Sequence, residues 1–210
     1  MILKYMNEPC SRCATASTEG NMVAVSNEKG EVWVYELDTS ELIHTIHVGS
    51  YIESLTFTTD NKQLWVGERD GHIHVCDTFT GKAVKSGKVG GEDESVIFVQ
   101  IVGENVICGS RKGTVTLIST TTFHPTNTWE TGELTYTYGY NHTKQQLITG
   151  HENMVKCLTL SGEEVTSVKV KDEVFGLDVH PVDEDVVACG VKFVNDEYDV
   201  VEVCVLKYVY

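Results

Sequence analysis

Few groups in this chain are spaced so that they could do chemistry, and spacing limits each of them. Cys10 and Cys13 form a lone CxxC pair. Zinc sites of that type need a second pair, or histidines, to complete four ligands. Here the pair leads into an extended segment, where positions three apart face opposite sides, so it reads as structural. His151-Glu152-Asn153-Met154-Val155 starts like a zinc-protease signature, but no second histidine follows at the required offset and no helix carries it. His44 and His47 should diverge on a strand. His72 and His74, two apart, share a strand face but lack a nearby third donor, and also read as structural. His124 and His180 each precede a proline, in turns. There is no G-x-S-x-G nucleophile elbow and no glycine-rich phosphate loop before a helix. Gly90-Gly91-Glu92-Asp93-Glu94 places acid after glycine, which repels phosphate. The expectation is no catalytic residue, no bound metal and no cofactor.

The elements that would position a surface are much clearer. Four short apolar runs end in Gly67, Gly109, Gly150 and Gly190, which lie 42, 41 and 40 residues apart. Met22 to Ser26 fits the same frame, with Ser26 in the glycine place. A turn follows each of the first four runs: Glu28-Lys29-Gly30, Arg69-Asp70-Gly71, Arg111-Lys112-Gly113 and the shorter His151-Glu152-Asn153. Gly and Asn tolerate the positive φ that tight hairpins use. The fifth turn is longer, about 193–199. Each turn opens an alternating run, as in His72-Ile73-His74-Val75-Cys76, and alternation marks a half-buried strand. Another strand precedes each glycine run, at about 12–17, 52–58, 96–102, 135–140 and 174–179. A more polar one follows, at about 42–48, 82–89, 126–129 and 165–170. No segment carries sustained helical periodicity.

A four-strand unit of about 41 residues fits one blade of a propeller. The second repeat resembles the WD-repeat family, with Cys76-Asp77 where that family usually has Trp-Asp. Val179-His180-Pro181 resembles the family's turn after the innermost strand. The resemblance covers about residues 10–210 and implies an all-β fold. That fold is a single β-propeller of about five four-stranded antiparallel blades, roughly 10–48, 52–89, 95–131, 134–171 and 173–210. Residues 1–8 are the candidate strand that completes the last blade, since the fifth repeat lacks its own outer strand. Either the ring closes with five blades, or a partner inserts what is missing. The family's Gly-His pair is absent and only Asp77 keeps the terminal Asp, with Glu36 a conservative stand-in. The usual polar network should therefore be mostly missing and the blades looser.

Composition narrows the partners. The chain has 210 residues and a net charge of −15. Phosphate binding needs a basic footprint, so neither direct nucleic acid nor membrane binding is expected. Other proteins are, especially those with basic surfaces or basic peptide tails. Seven cysteines, mostly within apolar runs, suit a reducing compartment better than a disulfide framework. The start is no signal peptide, so cytoplasm or nucleus is the expected location. Propellers present rigid loops on their rims, and aromatic and arginine side chains dominate interfaces. The candidate protein-binding residues are Tyr51, Glu53, Arg69, Glu92, Asp93, Glu94, Arg111, Glu133, Tyr136 and Asp172. Tyr136, Tyr138 and Tyr140 should share one face and pack in the core. The reading is a non-catalytic interaction scaffold. The alternative is a propeller enzyme or small-ligand binder using the central channel.

Overall fold

The computed structural model describes residues 13–18, 21–89, 91, 94–180, 186–194 and 199–207. The closing strand expected at 1–8, together with Cys10, Glu92, Asp93 and Pro181, lies outside the described residues. Among the described residues every regular element is a β-strand. The first sheet holds β1 (Ala14–Ala16), β2 (Met22–Ser26), β3 (Glu31–Glu36) and β4 (Leu42–His47). The second holds β5 (Ile52–Phe57), β6 (Gln63–Glu68), β7 (His72–Asp77) and β8 (Lys82–Lys88). The third holds β9 (Val96–Val102), β10 (Asn105–Ser110), β11 (Thr114–Ser119) and β12 (Pro125–Glu130). The fourth holds β13 (Thr137–Asn141), β14 (Gln146–Gly150), β15 (Met154–Thr159) and β16 (Glu164–Lys169). The fifth holds β17 (Glu173–Val179), β18 (Val186–Val194) and β19 (Asp199–Lys207). Each is a meander in sequence order. The β18–β19 hairpin is longer than the sequence pattern suggests: β18 runs on to Val194, into the stretch expected to turn.

The glycine-ended runs are the second strands, and they are covered on both faces. Leu64, Trp65 and Val66 are wholly buried, as are Leu147 and Ile148 to within 1%. A strand covered on both sides reads as a continuous apolar run rather than an alternating one. The fourth strands β8, β12 and β16 are mostly exposed, which is why their sequences are polar.

The described residues fall into two compact units, one within Met1–Ser110 and Thr116–Thr126, the other within Arg111–Val115 and Asn127–Tyr210. In the first unit, Val32, Val34 and Ile46 of the first sheet pack on Ile52, Leu55, Phe57 and Leu64 of the second. Trp65, Ile73 and Val75 of the second pack on Val99, Ile101 and Val106 of the third. In the second unit, Ile148, Val155 and Cys157 pack on Val174, Val187 and Cys189. Burying each such side chain contributes about 2 kcal/mol. The cysteines behave as core residues: burial pushes the thiols of Cys76 and Cys108 up to about 12, and those of Cys157 and Cys189 to about 11.

The turns join each blade to the chain leaving it. Gly30, Gly71 and Gly113 have φ of 78°, 88° and 97°. Their carbonyls accept hydrogen bonds from the N–H of Val48, Val89 and Thr131. Asn153 does the same for Val170, but without positive φ. The fourth turn is one residue shorter, with Gly150 facing Val155 where Gly67 faces Ile73, and it needs no left-handed residue.

Candidate protein-binding rim

One position recurs at the entrance of the inner strands. Ser54, Phe98, Thr137 and Gly176 each face the glycine of their own blade. The residue before each is therefore equivalent: Glu53, Ile97, Tyr136 and Phe175. In the second, third and fifth sheets that residue is a β-bulge, skipped by the ladder. Bulges redirect a side chain and are common beside functional surfaces. Phe175 is 45% exposed, and Glu53, Ile97 and Tyr136 are half-buried. Sequence reasoning singled out Glu53 and Tyr136 but missed Ile97 and Phe175. A bulge shifts the two-residue alternation that makes a strand legible, so the pattern marked neither as a rim position. Only the alignment of each inner strand to its glycine could have found them.

Two arginine–tyrosine pairs stand at the turns between second and third strands. The Arg69 guanidinium lies 5.6 Å from the centre of the Tyr51 ring, and the Arg69 N–H donates to the Tyr51 carbonyl at 2.8 Å. The Arg111 guanidinium lies 5.5 Å from the Tyr136 ring, and the Arg111 carbonyl accepts from the Thr135 N–H. Both arginines are exposed. A cation over an aromatic face is worth about 0.5–1 kcal/mol at an exposed site. It also holds a flexible charged side chain in one place, which lowers the entropy lost on binding. Tyr138 and Tyr140 are buried as expected, at 5% and 8% exposure. Tyr136 precedes the strand and separates from them.

The candidate acids are less free than the sequence suggests. Glu133 pairs with the buried Lys156 ammonium at 2.8 Å, and that bond holds its carboxyl below the usual range. The Asp172 carboxylate accepts the N–H of Glu173 at 2.8 Å. Glu94 is half-buried, and its carbonyl lies close against Gly71.

Beneath these loops lies a polar layer that the sequence pattern did not suggest. In the first four sheets the residue after the second-strand glycine position is polar and buried: Asn27, Glu68, Ser110 and His151 are at most 4% exposed. Glu68 Oε1 accepts the Ser50 N–H at 3.1 Å. His151 Nδ1 donates to the Leu134 carbonyl at 3.0 Å, which leaves Nε2 to accept the Thr149 hydroxyl at 2.8 Å. Burial depresses the His151 pKa, which favours the neutral ring that this pairing uses. Ser50 and Leu134 each precede an inner strand, so these anchors hold the entry loop of their own blade.

The histidine pairs separate as the strand geometry requires. His44 Nε2 contacts the Phe79 carbonyl at 3.1 Å, whereas His47 is exposed beside Glu31. His72 and His74 do share a face, with ring centres 6.4 Å apart. The expectation that they lack a third donor is corrected: the turn brings Glu68 and Asp70 beside them.

Known proteins match this architecture. The family described as the anaphase-promoting complex subunit 4 WD40 domain matches residues 14–106. WD repeat-containing protein 55 of Arabidopsis thaliana is 32% identical over 99 residues, covering 46% of this chain and 28% of its own length. The U3 small nucleolar RNA-associated protein 18 homolog of Homo sapiens is 25% identical over 119 residues, covering 55% and 21%. The match thus spans about a quarter of the length of these relatives. Among solved structures, Kuenenia stuttgartiensis hydrazine synthase superposes with a TM-score of 0.84 at 17% identity, over 96% of this chain and 64% of that one. The Myceliophteria thermophila Cps50 (Swd1) β-propeller domain gives 0.74 at 13% identity, over 87% and 62%. At such identities the likeness is one of fold, and that fold is the β-propeller.

Proposed function

The chain is a divergent WD-repeat-like β-propeller, and on that premise we propose that it is a non-catalytic scaffold that binds other proteins through its rim. The observation that carries this reading is the repeated arginine–tyrosine pair, Arg69 on Tyr51 and Arg111 on Tyr136. Exposed, pre-placed arginine and tyrosine are the side chains that anchor protein interfaces. The bulge residues Glu53, Ile97, Tyr136 and Phe175 supply mixed apolar contact beside them. The −15 charge acts over longer range, drawing in partners whose surface is basic overall. The nucleus is the proposed location, supported by the nucleolar name of one relative.

The test is affinity capture from a lysate of the protein's own cells at low and high salt. Wild type is compared with the double variant Arg69→Ala, Arg111→Ala. The expected outcome is a stoichiometric protein set with wild type, reduced by salt and lost with the variant while its melting curve stays unchanged. Equal capture by a folded variant, or no partner at all, overturns the rim reading and returns weight to a ligand in the channel.

A further inference from the structure

We propose that Glu68, Asp70, His72 and His74 form a binding site for a divalent transition-metal ion, with zinc the best match. The site follows from one hairpin. Alternation along β7 puts His72 and His74 on the same face. The turn between β6 and β7 folds Asp70 back, so that its Oδ1 accepts the His72 N–H at 3.2 Å and lies 3.1 Å from His72 Nδ1. Glu68, the last residue of β6, places Oε2 3.4 Å from His74 Nε2. Ligand atoms of Glu68, Asp70 and His72 all fall within 4.8 Å of one another. An ion held tetrahedrally by N and O donors at about 2.1 Å has ligand–ligand edges of about 3.4 Å. The Glu68–His74 edge already has that length and the Asp70–His72 edge, at 3.1 Å, is slightly shorter.

The charges point the same way. Glu68 is 2% exposed, and its partners are the Ser50 N–H and His74. Asp70 is met by His72 and by the Glu68 carboxyl. Among the described residues neither acid is paired with lysine or arginine; the intervening Arg69 is turned onto Tyr51. Buried charges are normally paired or coordinate a metal. His74 Nε2 is itself buried and has no hydrogen-bond partner, although it faces the Glu68 carboxylate. Ligand atoms of Glu68, Asp70 and His72 thus converge, and the unbonded His74 Nε2 adjoins that cluster through Glu68, 3.4 Å away. A dication satisfies the three converging ligands. The imidazoles favour zinc and its transition-metal neighbours over magnesium or calcium, which prefer all-oxygen shells. Asp70 and His72 are partly exposed, which leaves an entry path.

The full chain, stripped with a chelator, is titrated with zinc by calorimetry and with cobalt by absorption. Wild type is compared with Asp70→Asn, His72→Gln and the double variant. Both residues are partly exposed, so these changes spare the buried Glu68 anchor, and melting in chelator checks the fold. The expected result is one equivalent bound by wild type, with cobalt bands of an N/O site and no thiolate charge-transfer band. The double variant loses that equivalent by at least about 100-fold in affinity, and Glu68→Gln weakens it as well. The proposal is overturned if wild type binds no zinc more tightly than about 100 μM. It is also overturned if the variants keep the same equivalent, or if cobalt reports thiolate ligation alone, which would assign the metal to cysteines.

Discussion

Glu68 of the second blade and His151 of the fourth hold equivalent positions, yet their surroundings differ. His151 is fully satisfied: one ring nitrogen meets the Leu134 carbonyl, the other the Thr149 hydroxyl. Nearby Glu133 is matched by Lys156. Around Glu68 the partners are the Ser50 N–H and the Asp70 carboxyl, while His74 Nε2 stays unbonded. One corner is closed by its own hydrogen bonds and serves the fold. The other retains unspent polar capacity, which is where a ligand gains most. A repeat fold can vary the chemistry of a position while keeping its geometry, because the flanking ladder sets where the side chain begins.

The largest effect should separate these two corners directly. His151→Ala strands the Leu134 carbonyl and the Thr149 hydroxyl and opens a cavity, so it should lower stability by about 3 kcal/mol in chemical unfolding. If it costs less than about 1 kcal/mol, the closed-corner description fails. The next contrast lies in the turns. Gly71→Ala forces alanine into φ 88° with its Cβ 2.9 Å from the Glu94 carbonyl, at a cost of about 2 kcal/mol. The equivalent Asn153 is free of that constraint, and Asn153→Ala should change stability by less than about 0.5 kcal/mol.

A smaller effect is pH-dependent. Burial holds His151 below its ordinary pKa of 6.5. The unfolded chain takes up that proton below about pH 6.5, before the folded chain does. This stability is therefore complete above pH 6.5 and falls as pH drops, by at most about 1.4 kcal/mol per pH unit. His151→Gln should flatten the stability profile between pH 6.5 and 5, measured as urea midpoints; an unchanged slope would assign the titration elsewhere. The smallest expected effect has the opposite sign. In metal-free protein Glu68→Gln keeps an acceptor for the Ser50 N–H and supplies an amide N–H that can donate to Asp70, so it should be neutral or stabilising by about 0.5 kcal/mol. A loss above about 1.5 kcal/mol would make Glu68 a structural anchor like His151.

Much of the architecture was legible from residue order. The glycine spacing marked four of the second strands, Leu64-Trp65-Val66 and its counterparts marked buried runs, and the Gly30, Gly71 and Gly113 turns marked the hairpins. The candidate surface was legible only in part. Tyr51, Arg69, Arg111 and Tyr136 were identified as rim residues, but their pairing was not visible, because each pair joins a hairpin turn to an entry loop 18 or 25 residues away.

Residue order sets the local terms: strand alternation, turn backbone and burial of the second strands, all of which depend on residues a few positions apart. Which charges remain available depends on contacts made in three dimensions. Glu133 is neutralised by Lys156 from another strand, and Glu68 meets His74 across a hairpin. Phe175 and Ile97 leave the expected pattern because their strands bulge against a partner strand. Electrostatic and register effects act through space, and their distances are set by pairing that residue order does not state.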